Sequence, residues 1–372
     1  MSSSGTSVVS WEHKIYKRGY LSVYDHDGSD WAMRSGVCPS FGFSYFKITG
    51  LKTSGDGTTI VAWRPKPSWY TIVPVVLRRP STNGEWTLKA DPTPTKVKSD
   101  AVQDAFVESD AVQDAFDAFT AIRSNSFMLS NLALAVSHNG SRIAVGYIDS
   151  TNPATSGGVY VVDAVSEEGT ELWRLAGNVL YAAANDTIAT MANDEYTRFG
   201  ASLSLSADGT RLAVGVPGKS GVYSNVPGFA PFARVYELVD ASANWARVGQ
   251  DVTPEAHDPG HSFPAGTYFG RVVRLSDDGS RLLVVSGTND AFARVYELNV
   301  TDTGTGAGAA QTRRWRPLGQ RLDFRSDEHL YTDGAALSGD GSTVAFGTSR
   351  ADRNGLAESG SVQVYRLEGH GT

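Results

Sequence analysis

The stretch Leu203-Ser-Leu-Ser-Ala-Asp-Gly-Thr-Arg-Leu-Ala-Val-Gly215, followed by Ala233-Arg-Val-Tyr-Glu-Leu238 and then Trp245, is met again further along the chain. The second copy reads Val273-Arg-Leu-Ser-Asp-Asp-Gly-Ser-Arg-Leu-Leu-Val-Val285, then Ala293-Arg-Val-Tyr-Glu-Leu298, then Trp315. Apolar and polar residues alternate within each part, so each part reads as a short strand with one buried face. A turn pair separates the first two strands at Asp56-Gly57, Asn139-Gly140, Asp208-Gly209, Asp278-Gly279 and Asp340-Gly341. Such pairs tolerate the positive φ of a tight hairpin and are the strongest short-range hairpin signal. The third strand carries Val23-Tyr24, Val75-Val76, Val159-Tyr160, Val235-Tyr236, Val295-Tyr296 or Val364-Tyr365, and Trp31, Trp86, Trp173, Trp245 or Trp315 marks the fourth.

Four antiparallel strands per unit, with turns roughly 60 to 80 residues apart, predict an all-β protein, a β-propeller of four-stranded antiparallel blades. The units around the turns at 56, 139, 208 and 278 have all four strands. The last unit has strand one at Ala335 to Ser338, strand two at Thr343 to Gly347 and strand three at Val362 to Leu367. The first opens on strand two at Val8 to Trp11. Six blades with an incomplete seam at the termini are the expectation, and seven the alternative. Residues 1–372 then form one domain. The connector 91–126 interrupts the pattern with Ser99-Asp-Ala-Val-Gln-Asp-Ala-Phe106 and its copy Ser109-Asp-Ala-Val-Gln-Asp-Ala-Phe116. This is either a short amphipathic helix or a duplication tolerated in a surface loop.

Composition narrows the function classes. With 41% hydrophobic and 20% charged residues the chain reads as an ordinary soluble globular protein. Its formal charge of −7, with no Lys/Arg cluster to offset it, argues against nucleic acid or an anionic membrane as partner. No apolar run is long enough to span a bilayer, and Met1-Ser-Ser-Ser-Gly lacks the features of a signal peptide. The lone Cys38 leaves no internal disulfide framework, which favours an intracellular or otherwise reducing setting with secretion left open.

Phe199-Gly200 ahead of strand one, the Asp-Gly turn, Leu-Ala-Val-Gly-Val-Pro217 and Ala-Arg-Val-Tyr together resemble the FG-GAP repeats of integrin-α-like propellers. Phe269-Gly270 and Phe41-Gly42 repeat the first element. The resemblance implies a propeller whose loops bind proteins or other ligands, with the two-to-three and four-to-one loops as the binding face. The calcium loops common in that family are not matched. The turns Ser-Ala-Asp-Gly-Thr, Ser-Asp-Asp-Gly-Ser and Ser-Gly-Asp-Gly-Ser are too short and too poor in carboxylates for a cation that takes six to eight oxygens. Asp25-His-Asp-Gly-Ser-Asp30 is richer in acids but reads as a hairpin between strands three and four.

No catalytic set is legible, and no cofactor is expected. There is no Gly-x-Ser-x-Gly elbow and no activated cysteine pair. Glu255, His257 and His261 are of zinc-ligand type, but Pro259-Gly260 prevents a helix from aligning them, so a polar loop is the plainer reading. Trp63, Trp69 and Tyr70 in one two-to-three loop, and Tyr223, Phe229 and Phe232 in another, break the repeat as exposed aromatics of hot-spot type. These residues predict a non-enzymatic scaffold that binds a protein partner, with self-assembly as a variant. A carbohydrate- or small-ligand-binding propeller, or a hydrolase or lyase working at the channel mouth, is the alternative.

Overall fold

The computed structural model describes residues 7–12, 20–37, 50–65, 72–80, 87–89, 133–147, 158–167, 170–181, 198–218, 231–239, 244–254, 268–287, 292–303, 310–323, 334–348 and 360–368. The connector 91–126 and its duplicated octapeptides lie outside them. The chain divides into two units, Met1–Asp149 with Gly158–Leu180 and Ser150–Gly157 with Tyr181–Thr372. Each holds three antiparallel sheets.

In the first unit, β1 (Ser7–Glu12), β2 (Tyr20–His26) and β3 (Trp31–Val37) pair in that order. Next come β4 (Leu51–Thr53), β5 (Thr59–Pro65), β6 (Ile72–Arg78) and β7 (Thr87–Lys89), again in sequence order. The third sheet consists of β8 (Leu134–Val136), β9 (Arg142–Tyr147), β10 (Gly158–Glu167) and β11 (Thr170–Leu175), and β12 (Leu180–Tyr181) also pairs with β10. The second unit contains the sheets β13 (Ser202–Leu205) to β16 (Asn244–Arg247) and β17 (Val272–Leu275) to β20 (Ala310–Asp323). Between those limits lie β14 (Arg211–Val216), β15 (Phe232–Val239), β18 (Arg281–Val285) and β19 (Phe292–Thr303). A last sheet of β21 (Ala335–Leu337), β22 (Thr343–Thr348) and β23 (Ser361–Arg366) closes the order. Every sheet is a meander of consecutive antiparallel strands, so these are propeller blades and the protein is all-β. No helix among the described residues is long and apolar enough to cross a membrane.

One hydrogen bond recurs at the same place in five sheets and fixes their common phase. Arg79 donates to Thr58, Ala164 to Ser141, Leu238 to Thr210, Leu298 to Ser280 and Leu367 to Ser342, all backbone bonds of 2.7–3.0 Å. Counting from it, Val76, Val161, Val235, Val295 and Val364 are equivalent. The expected alignment on Val75 and on Val159-Tyr160 is therefore corrected, by one residue in the first case and two in the second. Runs such as Val-Tyr-Val-Val159–162 are apolar at every position, so alternation alone does not set their phase.

The fourth strand has a break that the sequence reading overlooked. Trp173, Trp245 and Trp315 are each followed four residues later by a left-handed glycine, Gly177 (φ 82°), Gly249 (φ 71°) and Gly319 (φ 68°). The strand resumes beyond it, as β12, as the isolated bridge of Ala233 to Val252, and as the shifted end of β20. A residue with positive φ that inserts an extra position into an antiparallel pair is a β-bulge. The extra strand beside β10 is thus a continued fourth strand rather than an addition to the blade.

Sheets within a unit bury one face each way. Val9 and Val23 lie against Leu51, Ile60 and Leu77. In the second unit, Ala213, Ala233 and Val235 pack with Phe269, Leu282, Tyr296 and Trp315 of the following sheet. Leu283, Val285, Ala293 and Val295 likewise meet Ala335, Val344, Phe346 and Tyr365. Trp315 anchors its interface beyond apolar contact, because its indole N–H donates to the carbonyl of Val248 at 3.0 Å. Gln250 then clasps the Trp315 backbone from both sides, at 2.6 and 3.1 Å. Trp315, which marks a fourth strand, is thus an interblade packing residue.

Candidate functional site

An antiparallel meander places its one-to-two and three-to-four turns at one end and its two-to-three and four-to-one loops at the other. The two ends are chemically unlike.

At the first end the turn is the same object five times. Ser206 N–H donates to Arg211 C=O and Gly209 N–H to Ser206 C=O, both at 2.9 Å. Only the glycine is left-handed (φ 71° at Gly209), so this is a four-residue loop around an i-to-i+3 turn, not the two-residue hairpin that the Asp-Gly pair suggests. The Ser206 hydroxyl donates to Asp208 Oδ1 at 2.6 Å and accepts from Arg211 N–H at 2.9 Å. The Asp208 carboxylate also accepts from the N–H and the hydroxyl of Thr210. Ser54/Asp56, Ser276/Asp278 and Ser338/Asp340 repeat these bonds, and Ser137/Asn139 makes them with an amide. The carboxylates are held below the ordinary 3.8. For Asp56, Asp208 and Asp278 burial is the largest single influence and pushes upward, but the turn's own hydroxyl and N–H donors together outweigh it. Exposed Asp340 feels chiefly its bond from Ser338. Carboxylates engaged this way serve the turn, not a ligand. The acidic hairpin at Asp25–Asp30 is similarly occupied. Asp27 Oδ1 accepts from Ser29 and Asp30, and Asp25 is buried against Arg79 and Ser7.

The turns also join neighbouring sheets. Asp56 N–H donates to His138 C=O at 3.0 Å, Ala207 to Asp277 at 2.8 Å, and Asp277 to Gly339 at 2.7 Å. Arg211 and Arg281 each pair with a glutamate on their own sheet and reach the carbonyl of the next turn, at Asp278 and Asp340.

The opposite end carries the strand-one entries. Arg198-Phe199-Gly200-Ala201 and Tyr268-Phe269-Gly270-Arg271 are turns in which the fourth residue's N–H donates to the first residue's C=O, at 3.1 and 3.0 Å. Arg198 (φ 55°) and Tyr268 (φ 44°) are the non-glycine residues with positive φ among those described, and they occupy the same position in adjacent sheets. A left-handed side-chain-bearing residue is strained, and strain of this kind collects at functional sites. Burial holds the Arg198 guanidinium below its ordinary pKa, with Tyr268 opposing and Arg271 reinforcing the shift. The Phe-Gly pair itself is a packing device. Phe269 is fully buried, and a Cβ on Gly270 would stand 2.6 Å from the carbonyl oxygen of Phe232.

Of the aromatic loop residues expected to meet a partner, Trp69, Tyr70, Tyr223 and Phe229 lie outside the described residues. Trp63 falls on β5 opposite Pro74 rather than in the loop that follows. Phe232 is corrected from a surface aromatic to a core one. It is the first residue of β15, pairs with Val216, is 3% exposed and carries the Arg234 guanidinium 4.9 Å from its ring centre. The alternation that buries it was hidden in Phe-Ala-Pro-Phe232, where every residue is apolar. Glu255, His257 and His261 also lie outside the described residues. Arg198 and Tyr268 escaped the sequence reading, because nothing in a single sequence signals that a non-glycine residue will be left-handed.

No protein-family model matches this chain, and no curated protein matches it. Among solved structures it is similar to a functionally unknown protein from Desulfotomaculum acetoxidans, at 10% identity over 99% of this chain and 81% of that one, with a TM-score of 0.49. It is also similar to the α-L-arabinanase of Penicillium chrysogenum (13% identity, 97% and 90% covered, TM-score 0.44). A third likeness is to the β-propeller domain of Cps50 (Swd1) from Myceliophteria thermophila (12% identity, 94% and 77% covered, TM-score 0.40). None of these bears on what this chain binds or does.

Proposed function

We propose that the chain is a non-enzymatic β-propeller scaffold that binds a protein partner through its two-to-three and four-to-one loops. The observation that carries this reading is an asymmetry between the two ends of the sheets, seen most fully in β13–β16 and β17–β20. One end is closed by repeated turns whose polar groups bond to one another. The other holds the strained Arg198 and Tyr268 beside the longer connectors. Rigid sheets that present variable loops at one end are a common way of building a binding surface. The resemblance to FG-GAP repeats points to the same end, since Phe269-Gly270 sits there. Trp69, Tyr70, Tyr223 and Phe229 supply the residue types that dominate interface energetics.

Affinity capture with the wild-type chain and with a Trp69→Ala, Tyr70→Ala, Tyr223→Ala, Phe229→Ala variant tests the reading. A partner recovered with wild type and lost with the variant, at an unchanged unfolding midpoint, is the expected result. Recovery of no partner, together with turnover of a glycoside or lactone by the wild type, would replace the scaffold with an enzyme.

A further inference from the structure

The charge carried by the first strands of the second unit is one-sided. Val273 N–H donates to Ser202 Oγ at 2.8 Å and Leu275 N–H to Ser204 Oγ at 2.9 Å, so β13 and β17 run side by side. The turns that enter them, Arg198–Ala201 and Tyr268–Arg271, are brought close with them. A Cβ on Gly215, the ladder partner of Ser202, would stand 2.0 Å from the Gly270 carbonyl oxygen. Along β13, β17, β21 and both turns the charged side chains are Arg198, Arg271 and Arg274, without one aspartate or glutamate. The chain as a whole has a formal charge of −7.

Arg198 is unlike the arginines that hold the sheets together. Arg79, Arg142, Arg211, Arg234 and Arg281 each meet a carboxylate at 2.6 to 3.4 Å. Arg198 is half-buried at a left-handed φ of 55°. Among the described residues the ionisable side chains that act on it are Tyr268 and Arg271, a phenol and a second cation. Arg271 lies just past the end of β18, where Gly287 makes room for it: a Cβ there would meet Arg271 Cδ at 2.8 Å. Two guanidiniums brought together repel each other, and neither sheds its proton at neutral pH, so an anion beside them relieves the arrangement. The backbone strain at Arg198 is a further cost that glycine would not incur, and strain of this kind is kept where a site needs the side chain.

We propose that Arg198 and Arg271, flanked by Tyr268, form a binding site for an oxyanion, the carboxylate or phosphate group of a ligand, at the entry to β13 and β17. The planar fork of a guanidinium matches both groups through paired N–H···O bonds. The site lies at the loop end assigned above to a protein partner but does not rest on that reading, since a small free anion is enough to occupy it.

Calorimetric titration and thermal unfolding with sodium phosphate and with sodium succinate, each against sodium chloride at equal ionic strength, test it. At least one of the two anions should bind saturably and raise the wild-type unfolding midpoint above the chloride control. Phosphate alone would assign a phosphate-bearing ligand, and succinate alone a carboxylate-bearing one. Arg198→Gln and Arg271→Gln should each weaken that binding roughly tenfold or more, as expected for losing a hydrogen-bonded charge. Arg198→Gly should also lose the anion, yet unfold above wild type in chloride, because it removes both strain and repulsion. A wild type that responds to neither anion beyond chloride would overturn the proposal, as would binding that Arg198→Gln leaves intact. Loss of anion binding with partner capture unchanged would leave the scaffold reading in place, so the two fail separately.

Discussion

Replacing Arg79 with methionine should lower the unfolding free energy by about 3–5 kcal/mol, the range for removing one partner of a buried ion pair. The Arg79 side chain is 1% exposed and that of Asp25 8%, and the two meet at 2.6 Å between the β1–β3 and β4–β7 sheets. The same guanidinium donates to Gly57 C=O at 2.8 and 3.0 Å and to Ser7 Oγ at 3.0 Å, so every face of its fork is used. Methionine fills much of the volume but leaves the buried Asp25 carboxylate without the cation that neutralises it. The loss is therefore one of an uncompensated charge more than of packing. A second substitution, Asp25→Leu, should recover most of it, since a buried pair exchanged for apolar groups of similar size is often neutral. Urea titrations of the two variants check both statements. A single variant within 1 kcal/mol of wild type, the level of exposed pairs, would mean that the pair is solvated.

Gly270→Ala should cost about 3 kcal/mol, the sum of left-handed backbone strain and overpacking, and its cause is separable with two companions. At Gly270 an added methyl meets both a left-handed backbone (φ 86°) and the Phe232 carbonyl oxygen at 2.6 Å. Gly28 has φ 109° with nothing within 4 Å of its would-be Cβ, so Gly28→Ala isolates the backbone strain, about 1–2 kcal/mol. Gly215 has no such strain, yet its Cβ would stand 2.0 Å from the Gly270 carbonyl oxygen. Gly215→Ala thus isolates the crowding between two backbones, one held in the β14 ladder and the other in the turn that the Arg271 N–H closes. The expected order of thermal midpoints is wild type, then Gly28→Ala, with Gly215→Ala and Gly270→Ala lowest. Equal losses at Gly28 and Gly270 would show that the sheets do not approach as closely as described.

That pair of glycines shows how much of the protein was legible beforehand. Phe-Gly was visible as a recurring word and Gly215-Val-Pro217 as a single one, but their meaning lies across an interface, Gly215 in one sheet against Gly270 in the next. The strand order and the Asp-Gly turns followed from local pattern alone, since a hairpin is decided by residues close in sequence. The turn's geometry did not, because Ser206 and Arg211, outside the dipeptide, lengthen it with bonds of their own. Phase within Val-Tyr-Val-Val159–162, the bulge glycines after Trp173, Trp245 and Trp315 and the burial of Phe232 also depend on pairing with a neighbouring strand. The candidate site was legible only in residue type. The aromatics named for it, apart from Trp63 and Phe232, lie beyond the described residues, and the strain at Arg198 and Tyr268 leaves no trace in composition.

In the second unit, successive blades are tied turn to turn by one repeated hydrogen bond, from Ala207 N–H to Asp277 C=O and from Asp277 N–H to Gly339 C=O. Amide hydrogen exchange read residue by residue tests it most directly. Ala207 and Asp277 sit in exposed turns, yet their N–H groups donate to the next sheet at 2.8 and 2.7 Å. They should exchange as slowly as Arg211 and Arg281, which are tied within their own blades. Exchange at Ala207 and Asp277 at the rate of unstructured peptide, with Arg211 and Arg281 still protected, would contradict the account.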